Sequence, residues 1–186
     1  MKTKLILIGG VPGTGKTTIA YNLALNLKID KVLSIDILKA LAKTFNTNSE
    51  YINTTTHEAY KIENTSIVEG YKRHSKVVNN IVLEVLENIK DKIIIIEGTT
   101  INKDFINMLN KDKYDFVSLN LTTSPETLIT RYKEKEKIRK SNWIDNIKVI
   151  EEIANYLSID SINIENDNIK NTIERIEKYV KEILYL

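Results

Sequence analysis

The chain contains no cysteine, and it has only two histidines, His57 and His74, among its 186 residues. Without thiols it can form no disulfide bond, use no thiolate nucleophile and build no cysteine-ligated metal site. Two histidines are also too few for a histidine-based metal centre. These absences exclude disulfide scaffolds, thiol enzymes and the common zinc proteins.

Long apolar runs are missing as well. No stretch approaches the roughly 20 residues that a transmembrane helix needs. The short apolar run in residues 1–8 leads into a glycine-rich loop, which favours a buried strand over a signal peptide. We therefore expect a cytoplasmic protein without a membrane partner. The net charge of +2 makes nucleic acid an unlikely partner but suits a small anionic substrate; it indicates no oligomeric state.

Short apolar runs alternate with helical patterns along the chain. Strands are predicted at residues 4–8, 31–35, 92–96, 115–121 and 161–164. Helices are predicted at residues 16–27, 37–42, 65–89, 102–109, 124–140, 142–157 and 168–184. The polar segment 44–56 is interpreted as a loop, and its composition leaves open whether it closes over substrate. This alternation predicts an α/β fold with three layers, in which a five-stranded parallel sheet carries helices on both faces. We expect one domain covering residues 1–186.

Glycine is scarce, yet four of the six glycines fall within residues 9–15. Gly10, Gly15, Lys16 and Thr17 match the pattern G-x-x-x-x-G-K-[ST] between a buried strand and an amphipathic helix. Such a loop wraps phosphate with its backbone amides at the positive end of a helix. We predict that it binds ATP, with Lys16 as a catalytic cation at the β- and γ-phosphates and Thr17 as a ligand of Mg²⁺. The predicted nucleotide-binding residues are Gly10, Val11, Pro12, Gly13, Thr14, Gly15, Lys16, Thr17 and Thr18.

Two carboxylates follow predicted strands. Asp36 comes after the second strand, where it could orient or deprotonate an acceptor hydroxyl group in a catalytic and substrate-binding role. It could equally cap the helix predicted from Ile37. Glu97 ends the run of four isoleucines, an arrangement typical of a Walker B acid that holds Mg²⁺ or acts as a base. Its alternative is an ordinary carboxylate at a strand end.

Several cations could bind the anionic groups of substrates. The run from Arg131 to Lys140 resembles the lid of small kinases, which stabilises the transferring phosphoryl group. Its alternating Lys and Glu residues favour a solvated helix face for most of the run. We assign catalysis to Arg131 and substrate binding to Arg139, place the lid at about residues 131–142, and expect the intervening lysines on the surface and Trp143 in the core.

The predicted long helix offers two more candidates. Arg73 could bind an anionic acceptor through two hydrogen bonds. His74 could act as a general acid or base at the acceptor, although a single histidine in a helix is more often packed or exposed. Both are predicted to bind substrate.

The amino-acid sequences of these motifs resemble those of archaeal-type 2-phosphoglycerate kinases. The similar segments are residues 7–20, residues 56–61 (Thr-His-Glu-Ala-Tyr-Lys), residues 70–75 (Gly-Tyr-Lys-Arg-His-Ser) with Val77 and Val78, and residues 95–98 (Ile-Ile-Glu-Gly). The resemblance implies a P-loop kinase fold and ATP-dependent phosphorylation of a small acid phosphate. Residues 99–102 (Thr-Thr-Ile-Asn) and the lysine-rich lid depart from the pattern of that family.

The motifs together favour a kinase over other nucleotide-binding proteins. A guanine-reading Asn-Lys-x-Asp motif is not matched, and the chain is short for a ring ATPase. We therefore expect an enzyme that uses Mg²⁺ and ATP to phosphorylate a small phosphorylated metabolite, with 2-phosphoglycerate as the best candidate. One alternative is a nucleoside, nucleotide or polynucleotide 5′-hydroxyl kinase. Another is an ATP-binding regulatory switch protein that acts through a partner.

Overall fold

The computed structural model describes residues 2–45, 48–138, 143–159 and 161–185. Within these residues, five parallel strands form one sheet in the order β2-β3-β1-β4-β5. The strands are β1 (Thr3–Gly9), β2 (Val32–Ser34), β3 (Ile93–Glu97), β4 (Tyr114–Thr122) and β5 (Ile162–Glu165). The helices are α1 (Lys16–Leu27), α2 (Ile35–Thr44), α3 (Glu50–Asn53), α4 (Ile67–Asn88), α5 (Lys103–Met108), α6 (Pro125–Ile138), α7 (Ile147–Ser158) and α8 (Ile169–Leu184), with a 3₁₀ turn at Ala59–Lys61.

Both faces of the sheet are buried because β1 and β3 are continuous aliphatic runs. Ile6 and Ile8 pack in one core with α1 and α8. Leu5 and Leu7 pack in a second core with α4 and α5. The α/β prediction of a five-stranded parallel sheet with helices on both faces is therefore confirmed. None of the helices in the described ranges is both long and apolar enough to cross a lipid bilayer.

The register of the sheet brings the motifs together. Glu97 at the end of β3 pairs with Ile8 of β1 on one side and with Ser34 of β2 on the other. The glycine-rich loop after β1 and the start of α2 after β2 therefore flank Glu97 at one edge of the sheet. Ligands of parallel α/β sheets bind beyond this edge.

Two local predictions were wrong. The second strand ends at Ser34 and α2 begins at Ile35, so Asp36 lies in the first turn of the helix and Ser34, not Asp36, is its N-cap residue. The predicted loop at 44–56 contains the short helix α3. It is held there because Ile52, 2% exposed, packs into the core that α4 shares with the sheet.

Candidate active site

A cleft of about 300 Å³ lies over the carboxyl ends of β1 and β3. Its walls come from the glycine-rich loop, the first turns of α2, the segment after α3, the end of β3 and the region of α6 and Trp143. The lining residues are Pro12, Gly13, Gly15, Lys16, Thr17, Thr18, Asp36, Lys39, Thr55, Thr56, His57, Glu97, Thr99, Lys135 and Trp143.

The loop geometry explains the concentration of glycine. Gly10 has φ 137°, a conformation that side chains disfavour, and a Cβ atom there would lie 2.5 Å from the carbonyl oxygen of Leu121. Lys16 opens α1 and is 7% exposed. Its Nζ donates to the carbonyl oxygen of Val11 at 2.9 Å. Burial lowers the pKa of Lys16, and the nearby carboxylates of Asp36 and Glu97 oppose that shift.

Thr17 and Glu97 offer oxygen atoms suited to Mg²⁺. Glu97 is 2% exposed, whereas Thr17 is exposed, and both line the cleft beside Lys16. Mg²⁺ commonly takes one or two protein oxygens and completes its octahedron with water and substrate phosphates. The described part of the chain has no cluster of three or more His, Asp or Glu residues suited to a metal. The donor set therefore fits Mg²⁺ bound together with nucleotide.

Buried side chains of α4 hold the loop that follows Glu97. The hydroxyl group of Tyr71 donates to the carbonyl oxygen of Thr99 at 2.9 Å. The amide of Asn79 donates to the carbonyl oxygen of Thr100 at 2.9 Å and accepts from its hydroxyl group at 2.7 Å. These bonds fix the cleft wall next to Glu97 because buried polar groups must be paired.

The two candidates from α4 do not line the cleft. Arg73 forms ion pairs with Glu63 and, at 3.0 Å, with Glu69. His74 is 1% exposed, and burial together with the charge of Lys39 lowers its pKa to about 3. His74 is therefore neutral at physiological pH and reaches the cleft only through Lys39, whose Nζ lies 2.9 Å from its Nε2.

Lys39 was missed by the sequence analysis. Its side chain lines the cleft, and its Nζ also donates to the carbonyl oxygen of Thr54. One sequence signal was available, because Lys39 follows Asp36 by three residues and so shares its face of a helix. Thr55 of the cleft lies in a polar, aperiodic segment that carries no comparable signal, whereas Thr56 begins the segment 56–61 that resembles 2-phosphoglycerate kinases.

The two arginines predicted in the lid are Arg131 and Arg139. The guanidinium group of Arg131 donates to the carbonyl oxygens of Gly13, at 3.1 Å, and Asn166, at 2.8 Å, and does not line the cleft. Arg139 lies outside the described residues.

The expectation that the lysines between these two arginines lie on the surface is wrong for Lys135. Lys135 lines the cleft, and its Nζ lies 5.1 Å from the ring centroid of Trp143. Trp143, expected in the core, packs against Tyr132 with ring centroids 5.2 Å apart and also lines the cleft. Helix α6 therefore supplies Lys135 as its cation in the cleft. The alternating Lys and Glu residues of this helix do not distinguish Lys135 from the neighbouring lysines.

Comparisons with known proteins agree with this architecture. Residues 6–152 match the family described as an AAA domain (AAA_18). Mevalonate-3-phosphate 5-kinase of Thermoplasma acidophilum is 32% identical over 102 residues, which make up 50% of this chain and 50% of that protein. The 2-phosphoglycerate kinase of Pyrococcus furiosus is 29% identical over 197 residues, or 96% of this chain and 64% of that protein. That of Methanocaldococcus jannaschii is 31% identical over 119 residues, or 59% and 37%.

The chain spans 37% to 64% of the length of these relatives. Among solved structures, shikimate kinase from Bacteroides thetaiotaomicron has a TM-score of 0.58 at 19% identity, with 99% of both chains covered. A sugar kinase from Janibacter has a TM-score of 0.59 at 16% identity, with 98% of this chain and 96% of that chain covered. The three-layer P-loop kinase fold and the resemblance to 2-phosphoglycerate kinases are thus confirmed.

Proposed function

The chain belongs to the AAA domain family, and from this premise we propose that it is an ATP-dependent kinase whose acceptor is a small phosphorylated metabolite. The observation that carries the proposal is that a phosphate-loop lysine and two carboxylates, Lys16, Asp36 and Glu97, line one cleft. A site that only bound nucleotide would not need a second carboxylate, Asp36, exposed in the same cleft.

Each residue has a role that follows from its chemistry. The loop amides and Lys16 bind the β- and γ-phosphates. Thr17 and Glu97 hold Mg²⁺, which supplies charge neutralisation for the phosphates when bound. Asp36, exposed to the cleft at the start of α2, accepts a hydrogen bond from the acceptor hydroxyl group and takes its proton.

The reaction exchanges one P–O bond for another. The hydroxyl oxygen of the acceptor forms a bond to the γ-phosphorus, while the bond between that phosphorus and the β,γ-bridging oxygen breaks and ADP leaves with the electron pair. The hydroxyl proton passes to the carboxylate of Asp36 and then to water. Lys16 and Lys135 offset the negative charge of the transferring group from two walls of the cleft.

The names of the relatives support a narrower acceptor class. 2-Phosphoglycerate and mevalonate 3-phosphate are both carboxylic acids that carry a phosphate monoester and a free primary hydroxyl group. We take a phosphorylated hydroxy acid as the acceptor class and 2-phosphoglycerate as its best representative, because the resemblance to 2-phosphoglycerate kinases extends over 96% of this chain.

The test is a coupled assay of ADP release with different acceptors. The purified protein with ATP and Mg²⁺ is given 2-phosphoglycerate, mevalonate 3-phosphate, adenosine or an oligonucleotide with a 5′-hydroxyl group, and phosphorus NMR identifies the product. We expect a phosphorylated hydroxy acid to accelerate ADP release well above the rate without acceptor, with formation of a bisphosphate. Acceleration by nucleoside or oligonucleotide alone would favour the alternative kinases. No acceleration by any acceptor would favour a regulatory switch.

A further inference from the structure

Lys39 is a cation of the cleft to which the phosphoryl-transfer scheme gives no role. It lies one helical turn beyond Asp36 on α2, and its side chain lines the cleft together with Asp36, Thr55 and Thr56. It therefore lies next to the carboxylate that the proposed function assigns to the acceptor hydroxyl group.

Within the described part of the chain, both hydrogen-bond partners of this ammonium group are uncharged. Nζ lies 2.9 Å from Nε2 of His74 and donates to the carbonyl oxygen of Thr54. His74 is buried in α4, and it accepts from the ammonium group in the tautomer whose Nε2 is unprotonated. Two of the three donors of Lys39 are thus directed into the protein by partners that do not cancel its charge.

A half-buried ammonium group without a bonded anion is costly to maintain, and an incoming anion removes that cost. The two neutral acceptors fix the direction of Nζ, so that the third donor remains for a ligand in the cleft. Thr56 brings a hydroxyl group to the same cleft, whereas the hydroxyl group of Thr55 donates to Oε2 of Glu58 at 2.5 Å.

We propose that Lys39 and Thr56 form an oxyanion subsite that binds an acidic group of the acceptor, a carboxylate or a phosphate monoester. His74 is its positioning residue, because it holds the ammonium group without neutralising it. This assignment rests on the proposed function for the identity of the ligand but not for the geometry of the subsite. It replaces the predicted contacts of Arg73 and His74 with the acceptor.

The first test compares Lys39→Met with Lys43→Met. Lys43 lies one turn further along α2, is exposed, and donates to the neighbouring carbonyl oxygen of Asn53 at 3.2 Å, but it does not line the cleft. With 2-phosphoglycerate as the probe, we expect Lys39→Met to raise the KM on the order of 10- to 100-fold, as for loss of a charged hydrogen bond. The KM for ATP should not change, and Lys43→Met should resemble the wild type. Equal acceptor KM values in the two variants would overturn the subsite.

The second test concerns His74. His74→Gln keeps an acceptor oxygen near the position of Nε2, whereas His74→Leu fills the space without one. We expect the acceptor KM to rise in His74→Leu and to return toward the wild-type value in His74→Gln, with thermal melting used to compare the two folds. If both variants melt alike and share one KM, the positioning role is wrong.

The acidic group is identified with acceptor analogues. Glycerol 2-phosphate lacks the carboxylate of 2-phosphoglycerate, and glycerate lacks its phosphate. The penalty of Lys39→Met should vanish for the analogue that lacks the group bound by Lys39. A penalty that persists undiminished with both analogues would contradict a contact with either group.

Calorimetric binding of 2-phosphoglycerate in the presence of a non-hydrolysable ATP analogue separates this subsite from the proposed function. Binding that depends on Lys39 without any turnover would support the subsite and contradict the proposed reaction. Turnover that is indifferent to Lys39→Met would support the reaction and overturn the subsite.

Discussion

The Nζ atom of Lys16 lies 2.9 Å from the carbonyl oxygen of Val11, inside the loop that Lys16 itself completes. The side chain is buried, and burial lowers its pKa. The loop thus pairs its own cation with a backbone carbonyl group. A bound triphosphate offers stronger, charged acceptors, so we expect Lys16 to exchange Val11 for phosphate.

Lys16→Met should therefore abolish phosphoryl transfer while the fold persists. Loss of a preorganised charge at the transferring group costs roughly a hundredfold or more in kcat. The ammonium group of Lys16 is buried at a cost in desolvation, so an apolar side chain of similar size should leave the fold intact. The measurement is steady-state ADP release together with thermal melting, and Lys76→Met, on the exposed face of α4, is the control. Undiminished turnover in Lys16→Met would show that the loop does not serve catalysis.

Arg131 joins the phosphate loop to the end of β5 rather than lining the cleft. Because its guanidinium group bonds the carbonyl oxygens of Gly13 and Asn166, Arg131→Met should lower the free energy of unfolding by roughly 1–3 kcal/mol. It should also raise the KM for ATP, because the phosphate loop loses its hydrogen-bonded link to Asn166.

Urea unfolding and ATP kinetics test this, with Lys133→Met on the exposed side of α6 as the matched control. The direct role in catalysis predicted from the sequence would give a different result. In that case kcat would fall in Arg131→Met while the stability and the KM for ATP stayed at the values of the control.

The sheet and the phosphate loop could be predicted because each is encoded locally. The aliphatic run Ile93–Ile96 favours burial on both faces of the sheet, and Gly10 lies where the backbone needs a positive φ. These constraints act within a few residues, so their pattern is visible in one sequence.

The acceptor side could not be predicted in the same way, because it depends on how helices are rotated and where they begin. Lys135 faces the cleft because Tyr132, on the same helix, is buried in a core with α7. The alternating Lys and Glu residues around Lys135 do not indicate how α6 is rotated about its own axis. Asp36 was predicted at a strand end but lies in a helix, because α2 begins at Ile35, which is buried against the sheet.

Gly70, in the first turn of α4, is required by packing although glycine is a poor helix former. A Cβ atom at this position would meet the backbone of Tyr60 in the adjacent 3₁₀ turn at less than van der Waals distance. Alanine has the better helix propensity by about 1 kcal/mol, but Gly70→Ala should still destabilise the protein by roughly 1–3 kcal/mol through overpacking. Urea unfolding measures the effect, and Asn80→Ala on the exposed face of α4 is the control. A more stable Gly70→Ala would mean that the turn can shift freely away from α4.

The acceptor affinity should depend on the protonation of Lys39. Burial, with a smaller contribution from Lys43, lowers the pKa of Lys39 to about 8, while Asp36 acts in the opposite direction. His74 beside it has a pKa of about 3 and stays neutral throughout. The ammonium form that binds an anion is therefore present below pH 8 and is lost as the pH rises through that value. Phosphate monoesters are already dianionic above about pH 7, so the acceptor does not mask this change.

We expect the KM for 2-phosphoglycerate to be constant near pH 7 and to rise up to about tenfold per pH unit above the pKa of Lys39. The measurement is acceptor kinetics from about pH 7 to about pH 10 in the wild type, Lys39→Arg and Lys43→Met. Arginine stays charged over this range, so Lys39→Arg should remove the rise. Lys43→Met should keep it, displaced toward higher pH because the charge of Lys43 lowers the pKa of Lys39. A rise of the same size in Lys39→Arg would assign the titration to another group and contradict the role of Lys39.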